Sequence, residues 1–244
     1  MIIEKKNILH WKTFPDCAVL KPGLRSVYQS SKCKKYLFTH IRLSFATMEL
    51  DLSKGESDLL AQYKPVVRRE IRRAEGESLR LWFDEDYCDL IELFQDTIAA
   101  KGLQPMGPFT FKGKNNLVIG HVVHPEFGTI SAQAYSADIE SGRVLFLYNA
   151  SAYRRFERGS FARALCGRAN RLLLHRALVY FKTKGFLVFD VGGYQIGGLE
   201  QSRKSVDQYK GKLGGKPVVL YNYYPVWYYL FRELRFAWMK ISRP

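Results

Sequence analysis

Apolar positions along this chain switch between a spacing of two and a spacing near 3.6, and each switch marks an element. Residues 36–52, YLFTHIRLSFATMELDL, are rich in β-branched and aromatic residues and predict one or two strands. Ser53 with Glu56 has capping-box spacing for a helix that is interrupted or restarted at Pro65 and runs to Gly76. In its second part Val67, Ile71 and Ala74 share one face, while Arg68, Arg69, Arg72 and Arg73 occupy the rest. LRLWF (79–83) predicts a short strand. Asp84 is placed to cap the next helix, which has Glu85 and Asp86 in its first turn and Lys101-Gly102 at its end. Leu90, Ile91, Phe94 and Ile98 form its apolar stripe.

Further strands are predicted over 117–123, 129–139 and 143–152, the last two joined as a hairpin by Glu140-Ser141-Gly142. A long helix follows from about Ser160 to Lys184 and stops at Gly185. FLVFDV (186–191) is an apolar run bounded by glycines, which predicts a central strand ending at Asp190 and opening at Gly192-Gly193. A shorter helix near 200–212, a strand PVVLYNYY and an amphipathic helix opened by Pro225 complete the chain. Strands on both sides of helices make this a mixed α/β protein.

With 244 residues, 47% hydrophobic and 25% charged, the chain is long enough for a real core and excludes wholesale disorder. Its formal net charge is +15, unevenly placed. Residues 1–36 hold 8 Lys/Arg against 2 acids, 154–184 hold 9 against 1, and 201–244 hold 9 against 2. Such asymmetry points to an anionic partner: nucleic acid, a phosphorylated substrate, or an acidic membrane surface. Cys17, Cys33, Cys88 and Cys166 have no metal-like spacing and no CxxC, which fits a reduced, cytoplasmic setting. The start, MIIEKKNILHW, lacks the apolar core of a signal peptide, and no apolar run approaches the ~20 residues of a membrane span. The expectation is a cytoplasmic protein, soluble or peripheral at the inner face of the membrane.

Most short motifs are bland. His121 and His124 lie three apart on a strand and point to opposite faces, so no metal site is expected there. His175 fits a packed histidine better than a base. GGYQIGG lacks dinucleotide-fingerprint spacing, and no P-loop or HExxH occurs. Arg68 and Arg72 repel at i,i+4 unless an anion lies near, and Arg163, Arg168, Arg171 and Arg176 predict a second basic surface on the long helix. The last helix sets Trp227, Leu230, Leu234, Ala237 and Ile241 on one face, flanked by Arg232, Arg235 and Lys240. Such a helix either lies in a membrane interface or docks its apolar face on the protein's own core.

Four stretches, in this order, resemble the Fem-type branch of the GNAT acyltransferase superfamily: VVRREIRRAEGESLRLW, YNASAYRRF, ANRLLLHRALVYFKTKGFLVFDVGGY and VDQYKGKLGGKPVVLYNYY. Together they span roughly residues 60–224. The resemblance implies a mixed GNAT-like sheet flanked by helices, with a reduced N-terminal subdomain (1–78) ahead of a GNAT-like domain (79–244). It implies transfer of an acyl or aminoacyl group, drawn from acyl-coenzyme A or aminoacyl-tRNA, onto an amine. The acceptor it implies is an amino sugar or peptide precursor of the bacterial envelope or a surface polysaccharide, phosphorylated or lipid-linked. No metal is implied.

Carried over residue by residue, the resemblance makes Lys210 an electrostatic stabiliser of the reacting carbonyl, Tyr209 an aromatic platform for the donor, and Asp190 a further catalytic group. Gly192, Gly193 and Tyr194 fall in its substrate-approach segment, and Arg69 in its arginine-rich helix. The coenzyme A motif Q/R-x-x-G-x-G/A is missing, since the matching place reads YRRFERGSFARAL. Arg154, Arg155 and Arg158 are the residues expected to reach a phosphate beside that helix start. The rival expectation is a non-enzymatic module holding an anionic polymer, nucleic acid or membrane surface, through its basic faces.

Overall fold

The structure is a computed structural model that describes residues 1–6, 8–101, 106–111, 116–194 and 208–241. It contains ten strands: β1 (Ile2–Lys6), β2 (Leu9–Thr13), β3 (Ser26–Ser31), β4 (His40–Asp51), β5 (Arg80–Asp84), β6 (Leu117–His124), β7 (Gly128–Asp138), β8 (Arg143–Ser151), β9 (Val188–Tyr194) and β10 (Lys216–Pro225). Helices α1 (Glu56–Gln62), α2 (Pro65–Glu75), α3 (Cys88–Lys101), α4 (Phe161–Thr183) and α5 (Val226–Ile241) accompany them among the described residues. The chain divides into two compact units, the first built from Met1–Thr47 and Pro217–Pro244, the second mainly from Met48–Gly192 and the segment ending at Lys216. This division differs from a boundary at residue 78, because the arginine-rich α2 packs on α4 while the last strand and helix belong with the N-terminal strands.

In the first unit the strand order is β1-β2-β3-β10-β4. β1 and β2 form an antiparallel hairpin, β2 runs parallel to β3, and β3 pairs antiparallel with β10 across an irregularity between Tyr221 and Tyr223. Tyr28 and Tyr223 meet edge-to-face at 6.5 Å in a core with Leu20 and Leu37. A disulfide links Cys17 to Cys33 beneath this core, which corrects the expectation that all four cysteines are reduced. Cys88 and Cys166 remain as thiols.

The second unit carries the long pattern of the sequence. Its strand order is β4-β9-β8-β7-β6-β5, with β5 to β8 as an antiparallel meander. β8 and β9 are parallel, so the chain needs a crossover between them, and α4 supplies it. The core gathers Leu90 and Leu93 of α3, Ile119 and Val122 of β6, Ala132 and Ala134 of β7, and Leu165, Ala169 and Leu173 of α4. The expected central strand is therefore present, flanked by β4 and β8.

Several local expectations shift. α1 starts at Glu56 after Gly55 with no side-chain cap, because the Ser53 hydroxyl donates to Asp51 instead. Asp86, not Asp84, accepts the Cys88 N–H at the start of α3. Asp84 accepts the Trp82 indole N–H and bonds His121. The predicted basic surface of α4 is largely paired: Arg168 with Glu77, Arg171 with Glu70 and Arg176 with Glu75. Three acids scattered among the arginines of α2 and its exit thus hold α2 to α4. The strand 129–139 and its neighbours match their predicted bounds closely; of the helix expected over 200–212, residues 208–211 are helical, 212 is a turn, and 200–207 lie outside the described residues.

Candidate active site

The site lies in the second unit, where β8 and β9 run on past their paired residues. The parallel register joins Arg143 to Val188, Val144 to Phe189 and Leu145 to Asp190. β9 then passes through Gly192, whose φ of +82° is a left-handed conformation that suits glycine. Asp190, 1% exposed, accepts the Gly192 N–H at 2.8 Å. A second Asp190 oxygen faces the Arg143 guanidinium at 3.8 Å. Asp190 thus stands third of seven residues in β9 rather than at its end, and its geometry is that of a group shaping the Gly192 turn from below. A Cβ built on Gly192 would lie 3.6 Å from Lys210 Nζ and 3.6 Å from the Phe146 carbonyl oxygen. Glycine, ammonium and strand carbonyl therefore converge on one spot.

Lys210 is held there by the segment behind it. Residues 208–211 form a helical turn, and the Lys212 carbonyl accepts the Lys64 N–H at 2.9 Å. Gly214 has φ +73°, and a side chain on it would collide with the Gln62 backbone at the end of α1. A Cβ on Gly215 would lie 2.6 Å from Met48 Cγ in β4. The glycine pair is thus required by close backbone approach, and that approach anchors the Tyr209-Lys210 turn against α1 and β4.

A cavity of ≈ 270 Å³ is lined by Tyr209 of this turn, Asn149 and Ser151 of β8, Tyr153 and Arg154 just after it, and Asn170 and Arg171 of α4. Burial pushes the Tyr209 phenol up to about 12, so it stays protonated. The Arg171 guanidinium stands 5.8 Å from its ring centroid and bonds Glu70 of α2 at 2.9 Å. Tyr209 is consequently fixed between a cation and the cavity rather than freely presented as a platform. Underneath, the fully buried Gln133 donates to the Asn170 carbonyl at 3.0 Å and bonds the side chains of Asn170 and Asn149, while the Tyr135 hydroxyl donates to Gln133. Sequence reading missed this polar floor. Its only sign was a glutamine in the middle of a predicted strand, TISAQAYSADI.

The three arginines before α4 separate. Arg154 is exposed and lines the cavity. Arg158 lines a second cavity of ≈ 500 Å³ at the start of α4, with Gly159, Ser160 and Arg163. Arg155 instead bonds Asp96 at 2.7 Å and Glu92 at 3.1 Å, both on α3, so its charge is met within the fold. Ser160 caps α4 by accepting the Arg163 N–H, which leaves the helix start one free donor fewer. Arg69 lies on the exposed face of α2 and does not line either cavity. Gly193 is exposed, and the Tyr194 side chain lies outside the described residues. Cys166 is fully buried with its thiol pushed up to about 11, which rules it out as a ready nucleophile. Among the described residues no group of three or more His, Cys, Asp or Glu is placed to hold a metal ion.

Comparison with known proteins places this geometry. No family model matches the chain, and no curated protein matches it. Solved structures do. FemX superposes with a TM-score of 0.61 at 13% identity over 77% of this chain and 63% of its own. L-PGS from Bacillus licheniformis gives 0.55 at 11% identity, over 82% and 67%. The C-terminal domain of a candidate lysylphosphatidylglycerol synthetase from Agrobacterium fabrum gives 0.53 at 13%, over 81% and 67%. The chain thus spans about two thirds of each of these proteins. At such identities what is shared is the fold, and this chain has the fold of FemX and of L-PGS.

Proposed function

We propose that this chain transfers an acyl or aminoacyl group to an amine at the fork of β8 and β9, on an amino sugar or peptide precursor of the bacterial envelope. The observation that supports this reading is the position of Lys210 Nζ beside Gly192 and the Phe146 carbonyl, one residue from Tyr209, which lines the cavity. In amide formation from an ester or thioester, a neutral amine attacks the carbonyl carbon, charge grows on the carbonyl oxygen, and an alcohol or thiol leaves while the amine loses its proton. The ammonium of Lys210 is suited to hold the growing oxyanion. Glycine at 192 suits the φ of +82° that the chain takes beside Lys210. The reading takes the transfer as direct, since Cys166 is buried and its thiol is pushed up to about 11.

The donor is bound through phosphate by Arg154 and Arg158, which have no carboxylate partner among the described residues. A phosphate-bearing activated acyl group, on coenzyme A or on tRNA, meets that requirement. The polymer-holding alternative loses support from the fold, since Arg155, Arg168, Arg171 and Arg176 are spent on internal ion pairs. The test is turnover. The purified chain is given acyl-coenzyme A or aminoacyl-tRNA with an amino-sugar nucleotide or a peptide precursor, and amide product is followed by mass spectrometry. Product with either donor supports the proposal. Tight binding of tRNA or nucleotide without product for any pair overturns it in favour of a non-catalytic holder.

A further inference from the structure

α5 is mounted with its apolar arc outward and with Tyr228, Tyr229 and Arg232 inward. At 100° per residue, Val226, Trp227, Leu230, Phe231, Leu234 and Trp238 fall within one arc of about 140°. These residues face solvent: Leu234 is 70% exposed, Trp238 69%, Phe231 60% and Leu230 54%. The opposite side of the helix meets the first unit's core. Tyr228 packs on Trp11 and Tyr224, and the Arg232 guanidinium lies 4.8 Å and 4.9 Å from the ring centroids of Tyr224 and Tyr229. An amphipathic helix of a soluble domain ordinarily does the reverse. A contiguous exposed apolar face of this kind marks an interaction surface.

The patch continues onto neighbouring loops of the same unit. Leu24, 63% exposed, offers its carbonyl to the Trp227 indole N–H at 2.7 Å. Phe38, 72% exposed, precedes Thr39, whose carbonyl accepts the Val226 N–H at 3.1 Å. Tryptophan and phenylalanine beside leucine, on one face of a helix, are the composition of an interfacial helix.

Charge selects the occupant. Residues 1–47 and 217–244 carry 13 Lys/Arg against 3 Asp/Glu. Seating a second copy on this face would bring two strongly cationic units together, whereas anionic headgroups would offset the same charge. We propose that α5 lies in the interface of an anionic lipid bilayer, with its Leu/Trp/Phe arc among the acyl-chain boundary and the basic residues of the first unit at headgroup level. The transferase reading is not needed for this, and the readout does not depend on turnover.

The experiment is partition of the full chain between buffer and vesicles of phosphatidylcholine alone or with about one third phosphatidylglycerol, followed by co-sedimentation and tryptophan emission. Binding to the anionic vesicles, with a blue shift and weakening by salt, is expected. The paired substitution Leu230→Glu and Leu234→Glu alters two exposed positions and should leave the circular dichroism spectrum unchanged. It should weaken partition at least ~10-fold. Arg235→Glu should weaken only the anionic component. Absence of wild-type binding to anionic vesicles would overturn the proposal, as would binding undiminished in the paired variant. A wild-type dimer that the paired variant dissolves, with no vesicle binding by either, would assign the face to a second copy instead.

Discussion

Lys210 Nζ stands 3.6 Å from where a side chain would begin on Gly192, at the point where β9 leaves its pairing with β8. A lysine so placed is within reach of a carbonyl bound at the fork. Lys210→Met removes the charge and keeps the chain length. The expected outcome is a kcat lower by ~10²–10³ with KM little changed, the signature of a group that acts mainly on the transition state. Unchanged thermal unfolding would show that the fold survives. A folded variant that keeps more than half its activity would remove Lys210 from the chemistry.

Gly192→Ala probes the other partner. The added methyl meets Lys210 Nζ and the Phe146 oxygen only at ordinary contact distance, so crowding is slight. The backbone is the obstacle, since φ +82° costs an L-residue ~1–2 kcal/mol. Denaturant unfolding should show a loss of that order, and kcat should fall because relaxation of φ would break the Gly192 N–H bond to Asp190. Equal stability of variant and parent would mean that the turn is not held as described.

How much of this was legible in the sequence depended on range. α4 and β9 could be read because periodicity and flanking glycines are local signals. The Tyr209-Lys210 turn could be singled out by resemblance, but not its anchoring, because Gly214 and Gly215 need glycine only when α1 and β4 are beside them. β1 to β3 lie in a basic stretch with little alternation, and no strand was predicted over residues 1–35. The Cys17–Cys33 bond joins residues 16 apart with no motif between them. Pairing of Arg168, Arg171 and Arg176 with acids of α2 and its exit is a tertiary fact, so α4 alone looked like a basic surface. Amphipathicity of α5 was evident, yet a periodic pattern names an apolar face without saying what it faces.

The arginines before α4 should part company kinetically. Arg154→Ala with Arg158→Ala is expected to raise donor KM more than it lowers kcat, because a phosphate contact persists from ground state to transition state. Arg155→Ala should leave KM unchanged and cost only ~0.2–1 kcal/mol of stability, since its pairs with Glu92 and Asp96 are partly exposed and solvent-screened. Steady-state kinetics beside thermal unfolding decide the matter. A KM effect from Arg155→Ala alone would reverse the assignment.

Stability should fall on mild acidification, through two buried histidines. His175, 3% exposed on α4, has its Nδ1 3.2 Å from the Tyr63 hydroxyl and its ring edge-on to Tyr63. Burial holds its pKa below the ordinary 6.5, and the neighbouring Arg176 pushes the same way against Glu56 and Glu75. His40 is lowered as well, by burial, against the Ser26 carbonyl that bonds its ring. For each, the folded state favours the neutral ring, so between the lowered pKa and 6.5 the unfolded chain binds more protons. That contribution to stability is complete above the unfolded pKa and is lost as pH falls below it. Thermal unfolding should therefore show a lower Tm near pH 5.5 than near pH 7.5, in the range where only histidine titrates from its ordinary pKa. The carboxylates with lowered pKa, Asp51 and Asp86, act only at more acid pH. His175→Gln should shrink the difference, and His40→Gln in the same chain should shrink it further. A wild-type Tm that does not change across this interval would show that neither ring is held neutral by the fold.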